Sequence, residues 1–186
     1  MQKNETVLRM VMLGFLIALG VVISPILRVE GMCPMAHLIN IVCAVLMGPV
    51  DAFLCAFLIG IIRMMFLGIP PLALTGAVFG AALSGILYHA SKGKIWAAVV
   101  GEIIGTGIIG AIISYPVMAL FWGRTGLTWM FYVPSFIGGT LIGGSIAFGF
   151  LVAIRKSGVL ATMQKKLGSK IISEPDMAVS SKTAEQ

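Results

Sequence analysis

Six stretches of this chain are almost continuously apolar, at about residues 7–27, 35–48, 52–67, 72–89, 95–122 and 129–154. Short polar or Gly/Pro-rich breaks separate them, among them Gly48-Pro49-Val50-Asp51, Gly68-Ile69-Pro70-Pro71, Ser91-Lys92-Gly93-Lys94 and Arg124-Thr125-Gly126. About 20 apolar residues span a bilayer as a helix. The pattern therefore predicts an all-α membrane protein of six transmembrane helices. One domain covers residues 7–154, between a short cytoplasmic segment at 1–6 and a polar, partly disordered tail at 155–186.

Three local features qualify that pattern. The second stretch rises only about 21 Å, so it is expected to cross at a shallow tilt or with its outer end loosened. Asp51 is placed to cap the third helix by accepting its free amide hydrogens. The fifth stretch is too long for a straight crossing, and Pro116 in its outer third frees the carbonyl of Ile112. A kink at Tyr115-Pro116 follows, which either lines a cavity or only helps packing.

Composition settles the solvent. Of 186 residues, 59% are hydrophobic and only 11% are charged, with a mean hydropathy of +1.04. A soluble domain carries about 25% charged residues, so lipid must cover most of this surface. Lys3 and Arg9 before the first stretch resemble a secretory signal. The stretch is longer than a signal core and no small-x-small site follows, so it is expected to remain as a helix. Cys33, Cys43 and Cys55 are odd in number and form no CxxC pair, which suits buried thiols and not a disulfide frame or metal site. The 12 methionines suit flexible packing between helices.

Charge orients the bundle. Lys3, Arg9, Lys92, Lys94, Arg155, Lys156, Lys165, Lys166, Lys170 and Lys182 fall on the side of the termini, and only Arg28, Arg63 and Arg124 on the other. By the positive-inside rule both termini are cytoplasmic, in a multi-pass protein of the cell membrane. The net charge of +6 then reflects topology and anionic lipid, with no nucleic-acid partner.

Small residues recur every four positions: Gly14 and Ala18; Gly76, Gly80 and Ser84; Gly101 and Gly105; Gly107 and Ala111; Gly139, Gly143 and Ala147. Such stripes let helix backbones approach closely in lipid. Most are expected to pack this chain's own helices, and any face left over would dock another membrane protein.

Gly105-Thr106-Gly107-Ile108-Ile109-Gly110 reads as the dinucleotide fingerprint, but it lies within a membrane helix instead of opening one after a strand. No GxxxxGK[ST], GxSxG or HExxH occurs, and His37 and His89 lie near opposite faces. The sequence thus predicts no nucleotide hydrolysis of its own, no catalytic residue, no metal and no cofactor. Polar and aromatic residues gather instead at the outer helix ends. Arg28 and Glu30 stand in the first outer loop, His37 and Asn40 begin the second helix, and Arg63 ends the third. Thr75 begins the fourth helix, Tyr115 lies beside the kink, and Trp129, Tyr132 and Ser135 open the sixth. Trp and Tyr belong at membrane interfaces in any case, whereas His37, Asn40 and Arg63 at such depth should face a cavity or each other. Together these residues outline an outward-facing pocket for a small polar aromatic solute. Glu102, well inside the fifth helix, is read as a structural hydrogen-bonding group, with proton coupling in a stand-alone carrier as the alternative.

Gly31-Met32-Cys33-Pro34-Met35-Ala36-His37-Leu38-Ile39-Asn40, Leu46-Met47-Gly48-Pro49, and Arg63 before a Gly/Pro-rich loop resemble the ThiW family. So does the run from Gly101-Glu102 through Gly105-Thr106-Gly107 to Ser114-Tyr115-Pro116. The likeness covers about residues 5–155, with Thr75-Gly76 where the family pattern has Pro-Gly. It implies a substrate-capture (S) component of an energy-coupling-factor (ECF) vitamin transporter, binding the thiazole precursor of thiamine, hydroxyethylthiazole. The partners it implies are a transmembrane scaffold subunit, docked through Gly14 and Ala18, and paired cytosolic ATPases. It also implies a lid between the first two helices. By position and chemistry, Tyr115, Trp129 and Tyr132 are then expected to stack on or enclose the solute ring, and His37, Asn40 and Arg63 to bond its heteroatoms.

Overall fold

The structure is a computed structural model that describes residues 2–28 and 32–173. It is an all-α membrane bundle of about six spans. The helices are α1 (Gln2–Ile23), α2 (Pro34–Met47), α3 (Pro49–Leu67), α4 (Leu72–Ala90), α5 (Ile95–Glu102), α6 (Ala111–Trp122), α7 (Val133–Lys156) and α8 (Val159–Lys166). A π-helical segment (Ile103–Gly110) joins α5 to α6, so the three form one crossing of 28 residues.

The short second helix is the centre of the bundle. Twelve of the 14 residues of α2 are buried, and it packs on α3, α4 and α7. Because protein surrounds it, a length of about 21 Å is no handicap; its polar ends meet protein and not hydrocarbon. At its inner end the chain reverses in one residue: Gly48 has φ 94° and ψ −178°, a conformation reserved for glycine, and Pro49 starts α3 at once. The carbonyls of the last turn find partners: Gly48 N–H donates to Ala44 O, Gln164 Nε2 to Val45 O, and Arg9 Nη2 to Met47 O.

That turn corrects two expectations. Helix α3 begins at Pro49, inside the expected break, and Asp51 makes no capping bond. Its carboxylate pairs instead with Arg9 Nε at 2.5 Å, tying α1 to α3. The tail expected beyond Arg155 also departs from expectation in its first part. Helix α8 returns along the inner end, where Leu160, Gln164 and Leu167 are buried. Gln164 donates to the Tyr88 hydroxyl, which also bonds Ser173 Oγ, and accepts from Ser173 N. The N-terminal turns of α1, the α2–α3 and α4–α5 turns, and α8 therefore share one end of the bundle. Lys182 and Glu30 lie outside the described residues.

The departure from α geometry falls in the π segment, and Pro116 sits within α6. Small residues explain it. Helix α4 presents Gly76, Gly80 and Ser84 at intervals of four, and the facing backbone meets them at Gly110, Gly105 and Gly101. A Cβ on Gly101 would lie 2.6 Å from Leu83 O, one on Gly105 2.5 Å from Phe79 O, and one on Gly110 2.7 Å from Gly76 O. Ideal α-helix spacing from Gly105 would bring Ile109 to α4. The i→i+5 step of a π turn brings Gly110 there instead, and Ile109 is left 39% exposed on the lipid side. Gly143 and Gly139 of α7 likewise admit Pro34, Met32 and the His37 ring from the start of α2.

Helix α1 is the peripheral one. Its buried residues are Leu16, Gly20 and Ser24 just beyond its end, a one-residue-wide stripe against α2 and α3. A Cβ on Gly14 would meet no atom within 4 Å, and Met10, Val11, Phe15 and Val22 beside it are exposed. The small-residue stripes of α4, α5, α7 and the π segment are consumed in packing; the one at Gly14 and Ala18 is not.

A pair of substitutions tests this contrast. Gly80→Val would drive a side chain into Thr106 Oγ1 and the Glu102 carboxyl, an overpacking cost of about 1–3 kcal/mol. It should lower the Tm of the detergent-purified protein clearly, whereas Gly14→Val should leave it nearly unchanged. Equal shifts would contradict the packing described.

Candidate functional site

At the end opposite the termini, the first turns of α2 and α4, the end of α3 and the start of α7 enclose a cleft. It holds about 550 Å³ of empty space when its open mouth is counted. His37 and Ala36 come from α2, Arg63 from α3, Ala73, Gly76 and Ala77 from α4, Thr106 from the π segment and Phe136 from α7. Arg28, Met32 and Cys33 of the α1–α2 connection and Ile69 and Pro70 of the α3–α4 connection close its rim.

Beneath the cleft lies a polar knot centred on Glu102, which has no exposed surface. Its Oε1 accepts from His37 Nδ1, Asn40 Nδ2 and Thr106 Oγ1, each at 2.9 Å, and its Oε2 contacts Ser84 Oγ at 3.3 Å. Ser84 also donates to Ala98 O at 2.8 Å, and Asn40 to Ala77 O at 3.3 Å. Four helical segments thus meet at one carboxyl group. Glycine makes the approach possible, since any side chain on Gly80 would occupy the place of Thr106 Oγ1. With the His37 Nδ1–H given to Glu102, Nε2 is the ring nitrogen left to meet a solute, and it is an acceptor in the neutral ring.

Arg63 forms the other polar wall. It is 3% exposed, its Nη2 donates to Cys33 Sγ at 3.3 Å, and its Nε has no partner. The Cys33 thiol in turn donates to Ser24 O at 3.0 Å, so the rim beside the connection between α1 and α2 is held to α3 by sulfur. Gly68 in the left-handed conformation, its N–H on Arg63 O, ends α3 directly after this arginine's last turn.

The residues expected at the site therefore divide. His37 and Arg63 line the cleft, and Asn40 supports it from beneath through Glu102. Thr75 faces away, its hydroxyl 2.7 Å from Ser114 Oγ. Tyr115 and Ser135 lie outside the lining, both half-buried, and Trp129 is 57% exposed before α7 begins. Tyr132 is buried but lies one turn before Phe136 and outside the lining, ring centroids 6.0 Å apart, so Phe136 takes the wall position expected of it. Phe136, Thr106 and Cys33 are the lining residues that sequence reasoning passed over. Thr106 was obscured by the nucleotide-like glycine pattern around it. A four-residue step from Tyr132 along α7 would have pointed to Phe136.

A sequence model of the ThiW family, described as thiamine-precursor transporter proteins, matches residues 10–157. This chain belongs to the ThiW family. No curated protein and no solved structure matches it. The match spans α1 to the end of α7, so the cleft and the Glu102 knot both belong to the family region of a multi-pass membrane protein. ThiW is a family of transporters.

Replacing Glu102 separates support from bulk. Glu102→Leu leaves the His37, Asn40 and Thr106 donors without their acceptor inside the bundle, and each such group costs about 1–3 kcal/mol. A marked fall in Tm is expected, with Glu102→Gln closer to the parent because its amide oxygen still accepts. Thermal unfolding in detergent gives the comparison; a leucine variant as stable as the glutamine variant would mean the knot carries no weight.

Proposed function

We propose that this ThiW-family chain is the substrate-capture component of an energy-coupling-factor transporter, and that it takes hydroxyethylthiazole from outside the cell. The cleft carries the reading: a half-open, largely apolar site with one aromatic wall at Phe136 and, among its described lining residues, polar side chains at His37, Thr106, Cys33 and the arginines. A five-membered aromatic ring with a short hydroxylated arm suits such a lining. Ring stacking adds about 0.5–1.5 kcal/mol beyond burial, so capture relies on enclosure from several sides at once. The α1–α2 connection at the rim is the segment that would close over the solute.

The orientation follows from charge. Among the described residues, nine Lys and Arg map to the end bearing α8 and the first turns of α1, and three to the cleft end, which supports cytoplasmic termini and an outward-facing cleft. Two features support partner subunits. The chain has no phosphate-binding GxxxxGK[ST] loop, so energy must come from a separate ATPase pair or from an ion gradient. The exposed Gly14 and Ala18 on peripheral α1 offer a close-packing face for a transmembrane scaffold.

A stand-alone proton-coupled carrier would need Glu102 to exchange protons with the solute path. Its enclosure behind His37 and Asn40 favours the supporting role instead. Titration calorimetry with hydroxyethylthiazole, thiamine and riboflavin tests the solute, and hydroxyethylthiazole should bind most tightly. Vesicle uptake tests the energy source: transport should need the scaffold and ATPases and fall when Gly14 or Ala18 is replaced by a bulky residue. Uptake in vesicles without partners, abolished by Glu102→Gln, would establish the carrier reading instead.

A further inference from the structure

We infer that the cleft selects its solute by charge and by hydrogen-bond polarity: it takes the neutral thiazole alcohol, with the ring nitrogen accepting from Arg63 Nε, and rejects quaternised thiazolium. The inference rests on the thiazole reading above and narrows it to one charge state.

The polar inventory of the cleft is short and asymmetric. Arg63 is buried and spends Nη2 on Cys33, while its Nε–H points to no acceptor in the protein. A buried guanidinium N–H without an acceptor is costly, so an acceptor brought by the solute is the natural complement. The second guanidinium, Arg28, stands at the rim. Among the described residues lining the cleft there is no Asp or Glu. The carboxyl group below the floor, Glu102, accepts at Oε1 from His37, Asn40 and Thr106, and Ser84 Oγ lies 3.3 Å from its Oε2. Among the described lining residues, a cationic ring would thus meet guanidinium and no carboxylate in a low-dielectric enclosure.

The donor–acceptor pairing then assigns both ends of the solute. A His37 ring that is neutral and gives its Nδ1–H to Glu102 offers Nε2 as an acceptor. The alcohol O–H is the single donor of the thiazole alcohol, and it matches His37. That leaves the ring nitrogen lone pair for Arg63. Quaternising this nitrogen removes the lone pair and adds a positive charge at the same atom. Intact thiamine carries that same quaternary ring.

Three probes resolve the claim by calorimetry on the full-length wild-type protein. They are hydroxyethylthiazole, its N-methylthiazolium, and the thiophene analogue in which ring N is replaced by C–H. The thiazole should bind most tightly. The thiophene should be about tenfold weaker for the lost charged hydrogen bond, and the thiazolium about a hundredfold weaker or more. In Arg63→Gln the thiazolium penalty should shrink at least tenfold, which a purely steric effect of the methyl group would not do. If that variant does not fold, the wild-type order of the three probes decides. Thiazolium or thiophene binding as tightly as the thiazole overturns the charge selection and leaves the capture function standing. Failure of the thiazole itself to bind removes the solute reading, and this inference with it.

Discussion

In lipid, two helices gain little by hiding apolar surface from each other, so a tight pair must rest on backbone contact and on polar groups that have nowhere else to go. The contact of α4 with α5 and the π segment is of that kind. Gly76, Gly80 and Ser84 meet Gly110, Gly105 and Gly101 with backbone atoms where side chains would otherwise stand. This approach brings Glu102 to Ser84, and the placement of α2 alongside brings His37 and Asn40 to the same carboxyl. The cleft floor exists because these backbones touch.

The π segment resolves a conflict of periods. Helix α4 repeats small residues every four positions, and the facing strip supplies them at intervals of four and then five. One wider turn restores the match and sends Ile109 to the lipid. The same glycines that mimic a phosphate-binding loop in one dimension are, in three, a packing surface with Thr106 emerging between them to line the cleft. Irregular helix geometry next to a binding site is common in proteins, and here its origin is steric.

Burial of α2 has a functional counterpart. A central helix shielded from lipid can carry His37 and Asn40 on its first turns at little cost, because their polar atoms find partners in neighbouring helices. Peripheral α1, in contrast, touches the bundle through a thin stripe and is joined to it at the cleft end through Ser24, Cys33 and Arg63. At the other end Arg9 ties it to Asp51, Met47 O and Leu167 O. Between those ends α1 packs through Met12, Leu13, Leu16 and Leu19 and leaves Gly14 and Ala18 uncovered.

Hydropathy alone determined the six crossings, the membrane setting and the grouping of polar residues at one end, because each depends on the solvent around a segment and not on its neighbours. The resemblance carried by the His37–Asn40 and Gly101–Pro116 runs anticipated the family. What only the tertiary structure decided was which side chains share a space. Trp129, Tyr132 and Phe136 are all aromatic and near the start of α7, and a rotation along that helix set by Gly139 and Gly143 against α2 chooses Phe136. Asp51 looked like a cap until Arg9, 42 positions earlier, claimed it. Glu102 reads as a lone buried acid in one dimension; its four partners come from three other segments besides its own, and no local pattern encodes their meeting. Segments follow from composition along the chain, while contacts depend on helix rotation and register that glycine contacts fix only when all the helices are packed together.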